Sequence, residues 1–152
     1  MRLAGALFLC LIAAPLLAKE RLGAYQSWAA FKDAEVPRCY AIGSPDESSG
    51  TGGYVSVGFW PKRGLSHQLS VRLSRTRSSD AGITLSVGGR RFQLAADGNT
   101  GRAKDRAMDL AIIAAMRSSQ SMSVQSSGIT DAYALRGAAS AIDAAALGCA
   151  VK

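Results

Sequence analysis

The chain is poor in the residues that make metal and catalytic sites. It has one histidine, His67, and three cysteines, Cys10, Cys39 and Cys149. Transition-metal sites normally draw on several such ligands, so none is expected here. No G-x-x-x-x-G-K-[ST] loop is present to cradle a phosphate. No G-x-S-x-G elbow surrounds any serine, so a Ser-His-Asp triad has no signature, and His67 reads as a surface histidine. "DGNTG", residues 97–101, begins like a calcium loop. However, Gly101 and Arg102 stand where an acid or amide and then a glycine belong, and Met108 stands where the bidentate glutamate belongs. The segment reads as a turn.

The acidic residues suggest no glycosidase pair. Asp46, Glu47, Asp80, Asp97, Asp105, Asp109, Asp131 and Asp143 fall in polar loops or on expected helix surfaces. Nothing there points to the burial that tunes an acid and a base apart. Asp105 and Asp109, four apart near Arg102 and Arg106, read as solvated ion-pair partners. The expectation is a non-enzymatic protein with no cofactor and no metal.

Long apolar runs are also scarce. Only the start of the chain has one: Arg2 followed by an apolar stretch from Leu3 to Leu17 and the small Ala18. This reads as an export signal over residues 1–18, too short for the span of about twenty residues that crosses a bilayer. Its removal leaves a single domain, residues 19–152, without a transmembrane helix and large enough for a hydrophobic core. Two cysteines then remain, Cys39 and Cys149, near opposite ends of that domain. In an oxidising compartment they are expected to form a structural disulfide, since redox catalysis favours a closely spaced pair.

What is plentiful is period-two alternation. In "ITLSVGGRRFQL", residues 83–94, Ile83, Leu85 and Val87 share one face, and Gly88-Gly89 supplies the turn. Counting across that turn sets Leu85 opposite Phe92 and Ile83 opposite Leu94, with Arg91 and Gln93 on the outer face. Tyr54–Trp60 places Val55, Val57 and Phe59 inward and Tyr54, Ser56 and Trp60 outward. His67–Ser74 places Leu69, Val71 and Leu73 inward and Gln68, Ser70 and Arg72 outward. Tyr25–Phe31, Cys39–Ile42, a stretch around Met122 and Val124, and Tyr133–Arg136 read as further strands. "GSPDESSGTGG", residues 43–53, has no apolar residue and reads as a mobile loop. The segment 96–107 reads as a loop running into a helix. Arg106–Met116 has helical period: Met108, Ile112 and Ala115 share a face that Leu110 and Ile113 widen. Gly137–Leu147 is an alanine-rich helix. The fold class is mainly β, sandwich-like antiparallel sheets with two short helices packed on them, with α+β as the alternative.

The domain without residues 1–18 has 17 basic and 11 acidic residues, a net charge of +6. For an exported domain this balance points to anionic lipid, glycan or acidic protein and not to nucleic acid, or simply to solubility. The candidate binding residues are Arg72, Arg75, Arg77 and Arg91 on the outer face and its basic loop.

"AMRSSQSMSVQSSGITDAYALRGAASAIDAAALGC" resembles the C-terminal half of the invasion-associated locus B family. The likeness rests on Met116-Arg117, Asp131, Tyr133, Leu135, Gly137 and Cys149. "WAAFKDAEVPRCYAIGSP" is also similar, through Trp28, Cys39, Tyr40 and Pro45. The resemblance implies an exported, periplasmic or envelope-associated protein of alphaproteobacterial type with a compact β-rich fold. It implies no catalytic residues, and its name ties pathogenic members to host-cell invasion and virulence. The expected role is therefore a binding or interaction domain for an anionic envelope component or a host-surface protein. A periplasmic hydrolase and an envelope-maintenance or chaperone-like protein are the alternatives.

Overall fold

The computed structural model describes residues 19–150, so the export signal expected over residues 1–18 lies outside the described residues. The strands are β1 (Glu20–Tyr25), β2 (Trp28–Asp33), β3 (Arg38–Gly43), β4 (Tyr54–Trp60), β5 (Leu65–Arg72), β6 (Ile83–Val87), β7 (Arg90–Asp97), β8 (Thr100–Arg102), β9 (Ser121–Ser126) and β10 (Ile129–Ala134). Helix α1 (Arg106–Ser118) precedes β9, and α2 (Ala138–Gly148) follows β10. The fold is mainly antiparallel β with two short helices, as the alternation predicts.

The strands form one order, β1-β2-β3-β4-β5-β8-β7-β6-β9-β10. Two antiparallel sheets, β1-β2-β3-β4-β5-β8 and β6-β9-β10, are joined in that order by β7, which pairs with both. Ile83 and Leu85 of β6 pair with Leu94 and Phe92 of β7, whereas Ala95–Asp97 pair with β8. The hairpin register is the one the turn dictates, and Gly88 and Gly89 both have positive φ, 57° and 72°.

Inward residues of both halves form a single core with the helices. Leu69, Val71, Ile83, Leu85, Ile112 and Ile142 are completely buried within it. Helix α2 packs across β1–β4, and α1 packs on β5, β6 and α2. Leu110 does not widen the buried face of α1 as expected; it is exposed, and Ile112, Ile113 and Met116 carry the contact. Cys39 in β3 is bonded to Cys149 just beyond α2, with Cα atoms 5.7 Å apart.

Several segments differ from their expected form. The first strand is a hairpin: β1 and β2 meet at Gln26-Ser27, and Gln26 supplies a φ of 57° without a glycine. The segment after Leu94 is not a loop. β7 continues to Asp97 and turns into the three-residue β8, which is inserted between β5 and β7. The last strand begins at Ile129, four residues earlier than expected, and ends at Ala134.

The polar 43–53 segment is tied down. Asp46 N–H donates to Ala132 O at 2.8 Å, and Ala132 N–H donates to Ser49 Oγ at 3.0 Å. Ser74 Oγ donates to Ser49 O at 2.7 Å. Its polar groups satisfy the open edge of β10, which would otherwise leave backbone donors and acceptors unpaired. Trp28 Nε1 also donates to Ala134 O at 2.9 Å, bringing the end of β10 to the start of β2.

Candidate functional site

The outer face of β3, β4, β5 and β8 carries a concave trough of about 360 Å³. Its shape follows from side-chain size. Along β4 the outward residues run Tyr54, Ser56, Gly58, Trp60: large, small, small, large. Register sets Ser56 beside Ser70 and Ser70 beside Arg102; it sets Tyr40 beside Gly58 and Gly58 beside Gln68. Ser56, Gly58 and Ser70 therefore make a low floor, walled by aromatic and long polar side chains. A bulge sharpens the curve, because Ser66 and His67 of β5 together stand opposite Phe59. The Trp60 indole leans over Gly58, its Nε1 only 3.1 Å from where a Cβ would sit, so a larger residue at 58 would push it away.

The trough is cationic. Arg38, Arg63 and Arg102 line it, and no carboxylate does. Arg38 lies 4.7 Å from the Tyr40 ring centroid and 5.2 Å from that of Trp60. Arg63 approaches the Trp60 ring at 5.5 Å, and Phe31 stacks on Tyr40 at 5.6 Å. These contacts order the guanidinium groups without neutralising them. Asp33 takes part of the charge of Arg38 at 3.7 Å, while Arg63 and Arg102 make no ion pair among the described residues. The side chains of Ser56, Gln68 and Ser70 make no hydrogen bond among the described residues, leaving free donors and acceptors on floor and wall.

The four arginines singled out from the sequence are not brought together. Arg72 stands nearest, at the trough's end, paired in register with Tyr54. Arg91 is on the outer face of the part of β7 that pairs with β6, beside Ser86, and not of the part that pairs with β8. It does not line the trough. Arg77 is spent on the chain itself: Nε donates to Gly98 O at 2.5 Å, and Nη1 donates to Ser78 O, Ser79 O and Ala81 O. Arg75 lies in the loop after β5, beside Gly50. Sequence reasoning missed Arg38, Arg63 and Arg102. The outward large-small-small-large run of β4 was the available signal, but β8 had to be recognised to place Arg102.

The other chemically suggestive residues serve the fold. His67 is not a surface histidine. It is half-buried with φ 58°, its ring edge-on to Phe59 at 4.8 Å and its Nδ1 buried without a hydrogen-bond partner. Burial, then Arg117 and Arg106, hold its pKa below 6.5 against the opposing pull of Asp109 and Asp143. Asp105 and Asp109 bind backbone and do not form the expected ion pairs. Asp105 caps α1 by accepting from Met108 N–H at 2.8 Å, and Asp109 accepts from Leu69 N–H at 2.8 Å. Burial raises the Asp109 pKa more than that bond lowers it.

Asp131 is neither loop nor surface. It is fully buried in β10, where its carboxylate accepts from Ser74 N–H at 2.8 Å and shares the single hydroxyl hydrogen of Ser74 with Ser49 O. Tyr133 and Leu135 are buried beside it, and burial followed by the Asp131 charge pushes the Tyr133 phenol up. Among the described residues, no group of three or more His, Cys, Asp and Glu side chains is gathered to hold a metal ion. No described helix is long and apolar enough to cross a membrane.

No protein-family model matches the chain, and neither a curated protein nor a solved structure matches it.

Proposed function

We propose that this is an exported cell-envelope binding domain, non-enzymatic, that docks an anionic partner in the trough of β3, β4, β5 and β8. The observation that carries this reading is the convergence of Arg38, Arg63 and Arg102 on one aromatic-walled concavity with no lining carboxylate. Such a site concentrates negative charge and offers planar forks for oxyanions. Two features support the location. The Cys39–Cys149 bond suits an oxidising compartment, and the leader-like start of the chain suits export. The resemblance to the invasion-associated locus B family supports the same setting and makes contact with a host surface the extended form of the role.

The test is elution from an immobilised polyanion over a salt gradient. Wild-type protein elutes late, an Arg63→Ser/Arg102→Ser variant elutes early, and an Arg75→Ser/Arg91→Ser variant elutes close to wild type. Equal elution of all three proteins contradicts the reading. Intact mass of native material tests the setting: a retained leader and two alkylatable thiols contradict export.

A further inference from the structure

We infer that the trough takes a short acidic saccharide, a chain of pyranose rings bearing carboxylates; this rests on the anionic-partner reading above. The inference comes from three kinds of group in one concavity. The floor of Ser56 and Ser70 is small and hydroxyl-bearing, the Trp60 indole covers Gly58 beside it, and Gln68 adds an amide at its wall. Tyr54 and Trp60 stand at its two ends, six residues apart on one strand, which is about 20 Å of backbone. Rings that are apolar on their faces and polar on their edges match those platforms and that floor. Sugar rings have this character, with C–H faces to stack and hydroxyl edges to bond. The third kind is the pair Arg63 and Arg102, free of carboxylate partners among the described residues, on opposite sides of the floor. A guanidinium fork matches a carboxylate in plane.

A lipid acyl chain fits less well. Apart from Leu65, no aliphatic side chain lines the trough, and the floor is hydroxyl-rich. A bare inorganic anion would use the arginines but leave the aromatic ends and the floor without contacts. Volume agrees as well: about 360 Å³ lies at the small end of ligand sites.

The test titrates the disulfide-intact protein, by calorimetry and Trp60 fluorescence at low salt, with four probes. These are trigalacturonate, its fully methyl-esterified neutral form, polyglutamate, and phosphatidylglycerol vesicles. Trigalacturonate is expected to bind, and the neutral form to bind about tenfold or more weakly, the worth of a charge-assisted bond. Arg63→Ser/Arg102→Ser is expected to lose about tenfold or more on the same ground. Ser70→Trp, which fills the floor from the solvent side and leaves the core face and the charge unchanged, is expected to abolish binding. If polyglutamate or the vesicles bind through Arg63 and Arg102 while trigalacturonate does not, the saccharide inference is overturned and the anionic-partner reading stands. If no anionic probe binds, or the double variant binds all of them like wild type, both are overturned.

Discussion

Gly137 has φ +92°, and a Cβ built on it would collide with the carbonyl oxygen of Tyr25. It lies at the N-cap of α2, where the chain leaves β10 and passes under the β1–β2 turn. No side chain fits there. Gly137→Ala should cost about 3 kcal/mol or more, combining a disfavoured backbone with an overpacked contact. Urea unfolding checks it, and a loss under about 1 kcal/mol would mean the turn can move aside.

His67 permits a sign to be worked out. Its folded pKa lies below 6.5, so the unfolded chain takes up the proton first. Stability therefore rises with pH through the window below 6.5 and is lost as pH falls toward the folded pKa. Asp109 acts in the opposite sense: its raised pKa means stability falls as pH rises above 3.8 toward the folded value. His67→Asn, which suits the left-handed backbone, should remove the first dependence and keep the second, with the Asp109 carboxyl raised further by loss of the His67 charge. Denaturation midpoints measured between pH 4 and pH 8 should give a flatter upper limb in the variant. An unchanged limb would assign the acid sensitivity elsewhere.

Among the elements, those built on local rules were legible. The β6–β7 hairpin was readable to its register, because Gly88-Gly89 marks the turn and alternation flanks it on both sides. The β1–β2 hairpin was hidden because Gln26-Ser27 carries none of the usual turn residues. β8 has only three residues, too few for a period to be seen. The trough depends on β8 lying between β5 and β7, a nonlocal pairing that no window of sequence reports. Arg102 was therefore read as part of a helix lead-in, while Tyr54 and Trp60 were placed on the correct face.

The 43–53 segment looked mobile for a sound reason, its lack of apolar residues, and is held by polar bonds instead. Ser49 is the hinge of that network: its hydroxyl accepts from Ala132 N–H and its carbonyl accepts from Ser74 Oγ. Ser49→Ala leaves the partly buried Ala132 amide unpaired and should cost about 1 kcal/mol. Hydrogen exchange gives the local readout. The Ala132 amide should be protected in wild type and exchange markedly faster in the variant, with β4–β5 amides slowed as before. Unchanged protection at Ala132 would show that the loop does not hold the edge.

At the scale of the molecule, the disulfide joins positions 110 residues apart and fixes β3 to the end of α2. Chain entropy values such a closure at about 4–5 kcal/mol. The same bond holds one wall of the trough, since Arg38 and Tyr40 flank Cys39 on the opposite face of β3. Core and candidate site thus share a strand: inward residues of β3, β4 and β5 hold the sheet on the helices, and outward residues shape the concavity. Of the residues shared with the resembled family, Tyr40 lines the trough, whereas Asp131, Tyr133, Leu135 and Gly137 lie on the structural side of this division. The site with freely available charge lies away from these four.

The most direct test of this division is a nuclear magnetic resonance footprint, taken with trigalacturonate on the disulfide-intact protein. Shifts should concentrate at the Trp60 indole and the backbone of Tyr40, Ser56, Gly58, Gln68, Ser70 and Arg102, with the buried Trp28 indole unmoved. A footprint on the outer face of the β6–β7 hairpin around Arg91, or one centred on Asp131 and Tyr133, would contradict it.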